Sequence, residues 1–257
     1  MPHFFLIEGP LGGGKTLTAS ILAHYWRQKS GGDVRIFSNF ELKEATVFDS
    51  VDRWLDVADA RGAVCLWDEA QTQFDRRRWS RNTWMTTILN MTRKLRAVHM
   101  FLNPVGVNLD GRILDLVEVL IRVRKSPGRY IALDAYEYQD KRYGPDGRYL
   151  KTLRMPWWRV QQIFKLNLYD TDQLVYPFPV PKTERQETEL IQKIIEAQRE
   201  AVAREKGRKI GEETGGWINP SDRTREREKE LNATAAEETD ESGSAGVLAS
   251  FHPLSPV

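Results

Sequence analysis

Short runs of apolar residues alternate with amphipathic stretches along the first 125 residues of the chain. A run of about four to eight apolar residues predicts a buried strand, and apolar positions that recur every three or four residues predict a helix. The predicted strands are His3–Ile7, Val34–Phe37, Ala63–Trp67, Ala97–Leu102 and Val117–Val123. The predicted helical segments are Thr16–Arg27, Val51–Ala60, Asn82–Leu95 and Arg112–Leu116. Apolar strands separated by helices indicate an α/β fold with a mostly parallel central sheet flanked by helices.

The pattern changes after Lys125. Tyr130–Tyr138 and Tyr149–Met155 flank a Gly-Pro-Asp-Gly turn, which predicts an antiparallel hairpin, and a short helix is predicted at Trp157–Leu166. A Pro-rich stretch ends near Lys182. We therefore predict one domain over residues 1–182 with a hairpin extension over 126–182, an amphipathic helix over 183–211, and a polar, disordered tail over 212–257.

Composition and charge narrow the function classes. The net charge is +2, but 27 basic and 20 acidic residues lie before Glu184, and 11 basic and 16 acidic residues lie from there on. A basic front part is compatible with a polyanionic partner such as DNA. No apolar run approaches the ~18–20 residues of a membrane span, so we expect no transmembrane segment in this chain. The single cysteine, Cys65, excludes an intrachain disulfide and a multi-cysteine zinc site.

The residues Gly9 to Thr16, GPLGGGKT, match the phosphate-binding loop pattern G-x-x-x-x-G-K-[ST]. The loop follows a predicted strand and opens a predicted helix, a context that argues against a chance glycine-rich turn. Glycines let backbone N–H groups surround a phosphate, and we expect Lys15 to reach the β- and γ-phosphates and the Thr16 hydroxyl to ligate Mg²⁺. The predicted ATP-binding residues are Gly9, Pro10, Leu11, Gly12, Gly13, Gly14, Lys15, Thr16 and Leu17.

Two adjacent acids, Asp68 and Glu69, end the third predicted strand. A carboxylate at a strand tip beside the phosphate loop can hold the Mg²⁺ shell, the role predicted for Asp68, and the next acid can activate water, the role predicted for Glu69. The fourth predicted strand is followed by Asn103, whose amide either senses the γ-phosphate or orients the water, or instead caps the turn before Pro104.

Arginines follow the acidic pair at Arg76–Arg78 and Arg81, and Arg93 ends the next predicted helix. Three interpretations stay open for them: a solvated face, a contact to the DNA backbone, or an arginine finger that completes a neighbouring subunit's ATP site. Arg93 is the first candidate for the finger.

Together these features resemble the zonular occludens toxin N-terminal domain family, which includes filamentous-phage assembly ATPases. The resemblance is carried by GPLGGGKT, Ser38-Asn39, LWDEAQTQF followed by arginines, Thr92-Arg93-Lys94, NLDGRILDLVEVLIRVRK and the late LYDTDQLV. It implies a P-loop ATPase related to the FtsK/HerA group of DNA pumps and viral packaging ATPases, working as a homo-oligomeric ring. Asn103 stands where the family more often has glutamine, and family members in phage assembly usually carry a transmembrane helix that this chain lacks.

The leading hypothesis is an ATP-hydrolysing motor of a virus or mobile element that packages or translocates DNA or drives virion assembly. Lys15, Glu69, Asn103 and Arg93 are its predicted catalytic residues. Virion or membrane-embedded assembly proteins are expected partners, in the host cytoplasm, at the virion or at the periphery of a membrane complex. The alternatives are a scaffold that binds ATP without turnover and recruits a partner through the 183–211 helix, and a small-molecule kinase.

Overall fold

The computed structural model describes residues 2–75, 83–104, 109–171, 173, 175, 179–181 and 183–214. Arg76–Arg78, Arg81 and most of the predicted tail lie outside these residues. The described strands are β1 (Phe4–Glu8), β2 (Arg35–Ser38), β3 (Ala45–Val47), β4 (Ala63–Trp67), β5 (Ala97–Asn103), β6 (Val119–Ser126), β7 (Tyr130–Glu137) and β8 (Arg148–Pro156). The described α-helices are α1 (Lys15–Lys29), α2 (Arg53–Ala60), α3 (Thr83–Asn90), α4 (Thr92–Leu95), α5 (Gly111–Leu114), α6 (Trp157–Phe164) and α7 (Glu184–Thr214).

All eight strands form one sheet in the order β3-β2-β4-β5-β1-β6-β7-β8. In this order, the first six strands, β3, β2, β4, β5, β1 and β6, run parallel to one another. β7 and β8 run antiparallel to their neighbours. The predicted α/β fold class and each predicted strand are confirmed. Because β5 lies between β1 and β4, the carboxyl ends of these three strands meet at one edge of the sheet. Glu8 of β1 pairs with Asn103 of β5, and Trp67 of β4 pairs with Phe101 of β5.

Three local predictions were incomplete. The predicted hairpin is extended by β6, so that three antiparallel strands continue the main sheet. The edge strand β3 was missed because only three residues form it and its side chains are largely exposed. The predicted helix over 82–95 is divided into α3 and α4 at Met91, whose N–H donates to the Ile88 carbonyl instead of continuing the regular helical pattern.

Helices cover both faces of the sheet. One face buries an aromatic cluster in which Trp54 of α2 stacks on Trp67 of β4, with ring centroids 5.8 Å apart. On the other face, apolar side chains of α1 and α6 pack against the sheet. Cys65 lies in the core as a free thiol, and burial raises its pKa. Among the helices described here, none is long and apolar enough to cross a membrane.

The C-terminal helix α7 packs along α2. Its apolar residues Leu190, Ile194 and Ala201 are buried, so the apolar face predicted from the sequence is covered within the chain itself. The Glu205 carboxylate joins the helix to two loops, with oxygens 2.9 Å from nitrogens of both Arg61 and Arg96. The helix reaches Thr214, slightly beyond its predicted end, and the predicted boundaries of the three segments stay predictions.

We expect the contribution of Glu205 to stability to depend on pH. Hydrogen bonds from Arg61 and then Arg96 lower its pKa from 4.5 to about 2. A lowered folded-state pKa stabilises the fold above the unfolded value, and this stabilisation is lost as the pH falls from 4.5 towards 2. Glu205→Gln should therefore lower the Tm by a few degrees at pH 7, and the difference from the wild type should shrink through that acidic range.

The matched control for this prediction is Glu200→Gln, since Glu200 is an exposed acid on the same helix. Thermal unfolding of both variants and the wild type from pH 7 to pH 2 measures the effect. Equal Tm values for Glu205→Gln and the wild type at pH 7 would show that the carboxylate does not hold α7 in place.

Candidate nucleotide-binding site

The loop between β1 and α1, residues Gly9 to Gly14, requires glycine at specific positions. Gly12 and Gly14 have φ values of +65° and +101°, which favour glycine. A Cβ on Gly9 would lie 2.7 Å from the carbonyl oxygen of Val123, and one on Gly14 would lie 2.9 Å from Cδ1 of Ile131. The loop therefore lies against β6 and β7 more closely than any side chain would allow.

Lys15 begins α1 and folds back over this loop. Its Nζ donates to the carbonyl oxygens of Gly9 at 3.0 Å and Pro10 at 3.1 Å, and the side chain is buried. Burial lowers the Lys15 pKa, while the charges of Asp68 and Glu69 act in the opposite direction. Within the part of the chain that the structure describes, no side-chain hydrogen bond caps the start of α1 at Gly14, so the N–H groups of the first turn are available to an anion beside the Lys15 ammonium.

The structure brings together Thr16 and Asp68, which are 52 positions apart in the sequence. The Thr16 hydroxyl donates to Asp68 Oδ2 at 2.7 Å. A hydroxyl and a carboxylate oxygen side by side suit Mg²⁺, which prefers oxygen ligands and commonly combines one or two protein groups with substrate phosphates and water. Among the described residues, no group of three or more His, Cys, Asp or Glu forms a metal cage. The residues therefore fit a Mg²⁺ ion bound together with a nucleotide.

The position of Asp68 is fixed by Asn39, a residue to which the sequence assigned no role. The Asn39 amide donates to the Asp68 carbonyl oxygen at 2.9 Å, and its own oxygen accepts from the Asp68 N–H at 2.7 Å. This reciprocal pair is possible because β2 and β4 are neighbouring parallel strands and each residue directly follows its strand. The sequence contained one signal for this role, because Asn39 is a polar residue that directly follows a buried strand.

Glu69 adopts a left-handed backbone conformation, with φ 44° and ψ 48°. Its N–H donates to Asp68 Oδ1 at 2.8 Å, and its side chain is exposed at the wall of a cavity over the loop. A left-handed glutamate is uncommon, and such residues concentrate at functional sites. The turn separates the two acids: Asp68 bonds Thr16, and Glu69 faces solvent.

The cavity over the phosphate loop has a volume of about 290 Å³. It is lined by Gly12–Thr16 of the loop and the helix start, by Asp68, Glu69 and Pro104 at the strand ends, and by Phe164 and the segment Tyr169–Thr171. Burial raises the pKa of Tyr169 to about 12, and the nearby charge of Asp68 adds to this shift. The lining from Phe164 onward belongs to the part of the chain that contains the LYDTDQLV sequence.

The other predicted site residues are placed differently. Asn103 is buried at the end of β5, and the described cavity lining includes its neighbour Pro104 but not Asn103 itself. Leu17 is buried in the core, so only its backbone can serve a nucleotide. Arg93 is exposed on α4, which precedes β5, and β5 spans about 20 Å from Ala97 to Asn103 at the usual rise per strand residue. The roles of Asn103 and Arg93 stay predictions.

Lys125, at the end of β6, is a second cation at the loop that the sequence did not single out. Its Nζ donates to the Gly12 carbonyl oxygen at 3.1 Å and lies 5.6 Å from the centroid of the Trp157 ring. The contact links the hairpin extension to the phosphate loop. No sequence signal pointed to it, because Lys125 lies 113 positions from Gly12.

One edge of the sheet contains the glycine loop that joins β1 to α1, with a lysine and a threonine at the start of that helix. The carboxylate at the tip of β4 lies at the same edge. The strand β5 separates β4 from β1. The chain has the P-loop NTPase fold. In this P-loop NTPase fold, the predicted phosphate loop and acidic pair occupy the same cavity.

The chain was compared with known protein families, curated proteins and solved structures. No protein-family model matches the chain, and no curated protein matches it. Among solved structures it is similar to the N-terminal domain of zonular occludens toxin from Neisseria meningitidis, with 20% identity over 66% of this chain and 100% of that chain and a TM-score of 0.49. It is also similar to the genome packaging NTPase B204 from Sulfolobus turreted icosahedral virus 2 in complex with AMPPCP, with 12% identity over 49% of this chain and 77% of that chain and a TM-score of 0.37.

A third similar structure is the flagellar accessory protein FlaH from Methanocaldococcus jannaschii, with 15% identity, coverage of 61% of this chain and 86% of that chain, and a TM-score of 0.37.

Proposed function

We propose that the chain hydrolyses ATP with Mg²⁺ and acts as a motor of a virus or mobile element. The observation that carries this proposal is the 2.7 Å hydrogen bond between Thr16 and Asp68, beside Lys15 and Glu69 in one cavity. These are the groups that phosphoryl transfer to water requires: a phosphate cradle, two oxygen ligands, a cation and a free carboxylate.

Each residue has a distinct part in this reaction. The loop and Lys15 bind the β- and γ-phosphates, and the ammonium exchanges its present carbonyl partners for phosphate oxygens. Thr16 and Asp68 would hold Mg²⁺, which neutralises phosphate charge when bound. Glu69 accepts a proton from the water that attacks the γ-phosphorus, since its exposed carboxylate lines the cavity directly after Asp68, the acid that Thr16 engages.

The motor role rests on the sequence. The resemblance to phage assembly ATPases and the excess of basic residues before Glu184 favour DNA as the polyanion that is moved or packaged. The same resemblance favours a homo-oligomeric ring. It also favours assembly proteins of the virion or of a membrane complex as partners, and a location in the host cytoplasm or at the virion. The covered apolar face of α7 disfavours a scaffold that recruits its partner through that face.

Phosphate release measured with and without DNA tests this function. Release that DNA stimulates supports the motor, ATP binding without release supports the scaffold, and release that depends on an added small-molecule acceptor supports the kinase.

Lys15→Ala provides the internal test of the nucleotide site. Loss of a charge-assisted contact of roughly 1.5–3 kcal/mol should weaken ATP binding by about ten- to a hundred-fold. Lys29→Ala, at the exposed end of the same helix, is the matched control and should bind ATP normally. Wild-type affinity in a folded Lys15→Ala variant, measured by calorimetry, would disprove the assignment of the phosphate loop.

A further inference from the structure

Part of the cavity lining comes from the end of α6 and from the segment that follows it, residues 165–171, which we call the strap. The strap is anchored on the loop after β2. The Lys43 N–H donates to the Leu168 carbonyl oxygen at 2.7 Å, and Tyr169 forms an antiparallel bridge with Leu42. These contacts hold the strap in place, and it lines one cavity together with the phosphate loop.

Two more contacts hold the strap and the residues beyond it. The Tyr169 ring packs edge-on against Phe40, with centroids 6.3 Å apart, and the Glu41 N–H donates to the side-chain oxygen of Gln173 at 2.7 Å. These contacts are made to Phe40 and Glu41, the residues directly after Asn39. The strap is therefore connected through this loop to Asn39, whose hydrogen bonds fix the position of Asp68.

Side chains of different character divide the cavity. Lys15 and the first turn of α1 provide positive charge for phosphates. From the end of α6 onward, the lining residues are Phe164, Tyr169, Asp170, Thr171, Gln173 and Val175. Phe164 is 44% exposed although it is large and apolar, and its ring stands at the cavity rather than in the core.

The phosphate loop limits where the nucleoside can lie. A Cβ on Gly9 would lie 2.7 Å from the Val123 carbonyl oxygen, so no group fits between the loop and β6 there, and the side chains of Asp68 and Glu69 are acidic. The aromatic side chains that line the cavity are Phe40, Phe164 and Tyr169, of which Phe164 is the exposed one, and nucleobases stack on aromatic side chains. We propose that Phe164, supported by Tyr169 of the strap, binds the base of the nucleotide. This inference rests on the proposed nucleotide site and adds the surface that distinguishes a nucleotide from a plain polyphosphate.

The experiment compares ATP with inorganic tripolyphosphate, which has the phosphates and no base. We expect Phe164→Ala to raise the Kd for ATP about ten-fold, equivalent to roughly 1.4 kcal/mol of lost stacking, and to leave the Kd for tripolyphosphate unchanged. Trp158→Ala is the matched control, since Trp158 is 56% exposed on the same helix but does not line the cavity, and it should change neither Kd. Phe164→Trp should restore ATP binding.

Four other results would overturn the inference, and they show whether the proposed base contact alone is wrong or the proposed phosphate site as well. If Phe164→Ala weakens ATP and tripolyphosphate equally, the ring has a structural role, and if it weakens neither, the base binds elsewhere. Phe164→Leu, which keeps an apolar side chain, provides the same comparison should the alanine variant not fold. If the wild type binds both compounds equally well, the base makes no contact, although the phosphate loop stands. If the wild type binds neither, the proposed function fails together with the inference.

Discussion

Glu69→Gln is expected to slow ATP turnover by about 10²–10⁴-fold while ATP binding is retained, since this is the range that a positioned general base contributes. The amide keeps the size of the side chain but cannot accept the proton of the attacking water. Glu69 is exposed in the cavity, and its backbone N–H already bonds Asp68, so the substitution leaves the Thr16–Asp68 pair in place. Phosphate release and ATP affinity, measured on the same preparation, separate the two effects.

Glu44→Gln is the matched control for this variant. Glu44 is also an exposed glutamate with a left-handed backbone, at φ 61°, and it does not line the cavity. Any effect of placing glutamine in a left-handed conformation would appear in both variants, whereas loss of the general base appears only in Glu69→Gln. Normal turnover in Glu69→Gln would assign water activation to another group.

Most strands of the sheet could be predicted from the sequence because their composition is almost entirely apolar. A buried parallel strand such as β4 is apolar at each position, and the intervening helices have a different period. β3 could not be predicted in this way, since its three residues lie at the edge and face solvent. The union of β6 with β7 depends on pairing across a turn, which apolar periodicity does not encode.

The site divides along the same line. Lys15, Thr16 and Asp68 could be predicted because a short motif fixes the first two and a strand tip fixes the third. Asn39 offered only the signal of a polar residue after a buried strand, and Phe164 offered none, since their roles depend on which elements lie side by side in space. The strand order decides that Asn39 meets Asp68, and the path of the strap decides that Phe164 faces the phosphate loop.

Arg93 illustrates a prediction that a single chain leaves open. It lies on α4, before β5 begins, whereas the site lies beyond the end of β5. The length of the strand, about 20 Å, exceeds the reach of an arginine side chain, so Arg93 does not contact the phosphate loop of its own chain. An exposed arginine at this place can serve ATP only across a subunit interface, which we propose for the homo-oligomeric ring.

If Arg93 acts in trans, Arg93→Ala should bind ATP normally and lose about 10³–10⁵-fold in turnover, the range known for arginine fingers in related GTPases. Lys94→Ala is the matched control, because Lys94 is the next residue on the same helix, carries the same charge and is also exposed. If Arg93→Ala keeps its basal turnover and loses only stimulation by DNA, the residue contacts DNA instead.

Mixing two inactive variants tests the geometry directly. Arg93→Ala subunits retain Glu69, and Glu69→Gln subunits retain Arg93, so some interfaces in a mixed ring unite an intact Glu69 with an intact Arg93. Partial recovery of phosphate release, highest near equal amounts of the two variants, is therefore expected. Recovery cannot arise if both residues act within one chain, because no subunit in the mixture carries both. Co-assembly confirmed by mass measurement, with no recovery at any mixing ratio, would exclude Arg93 as the finger.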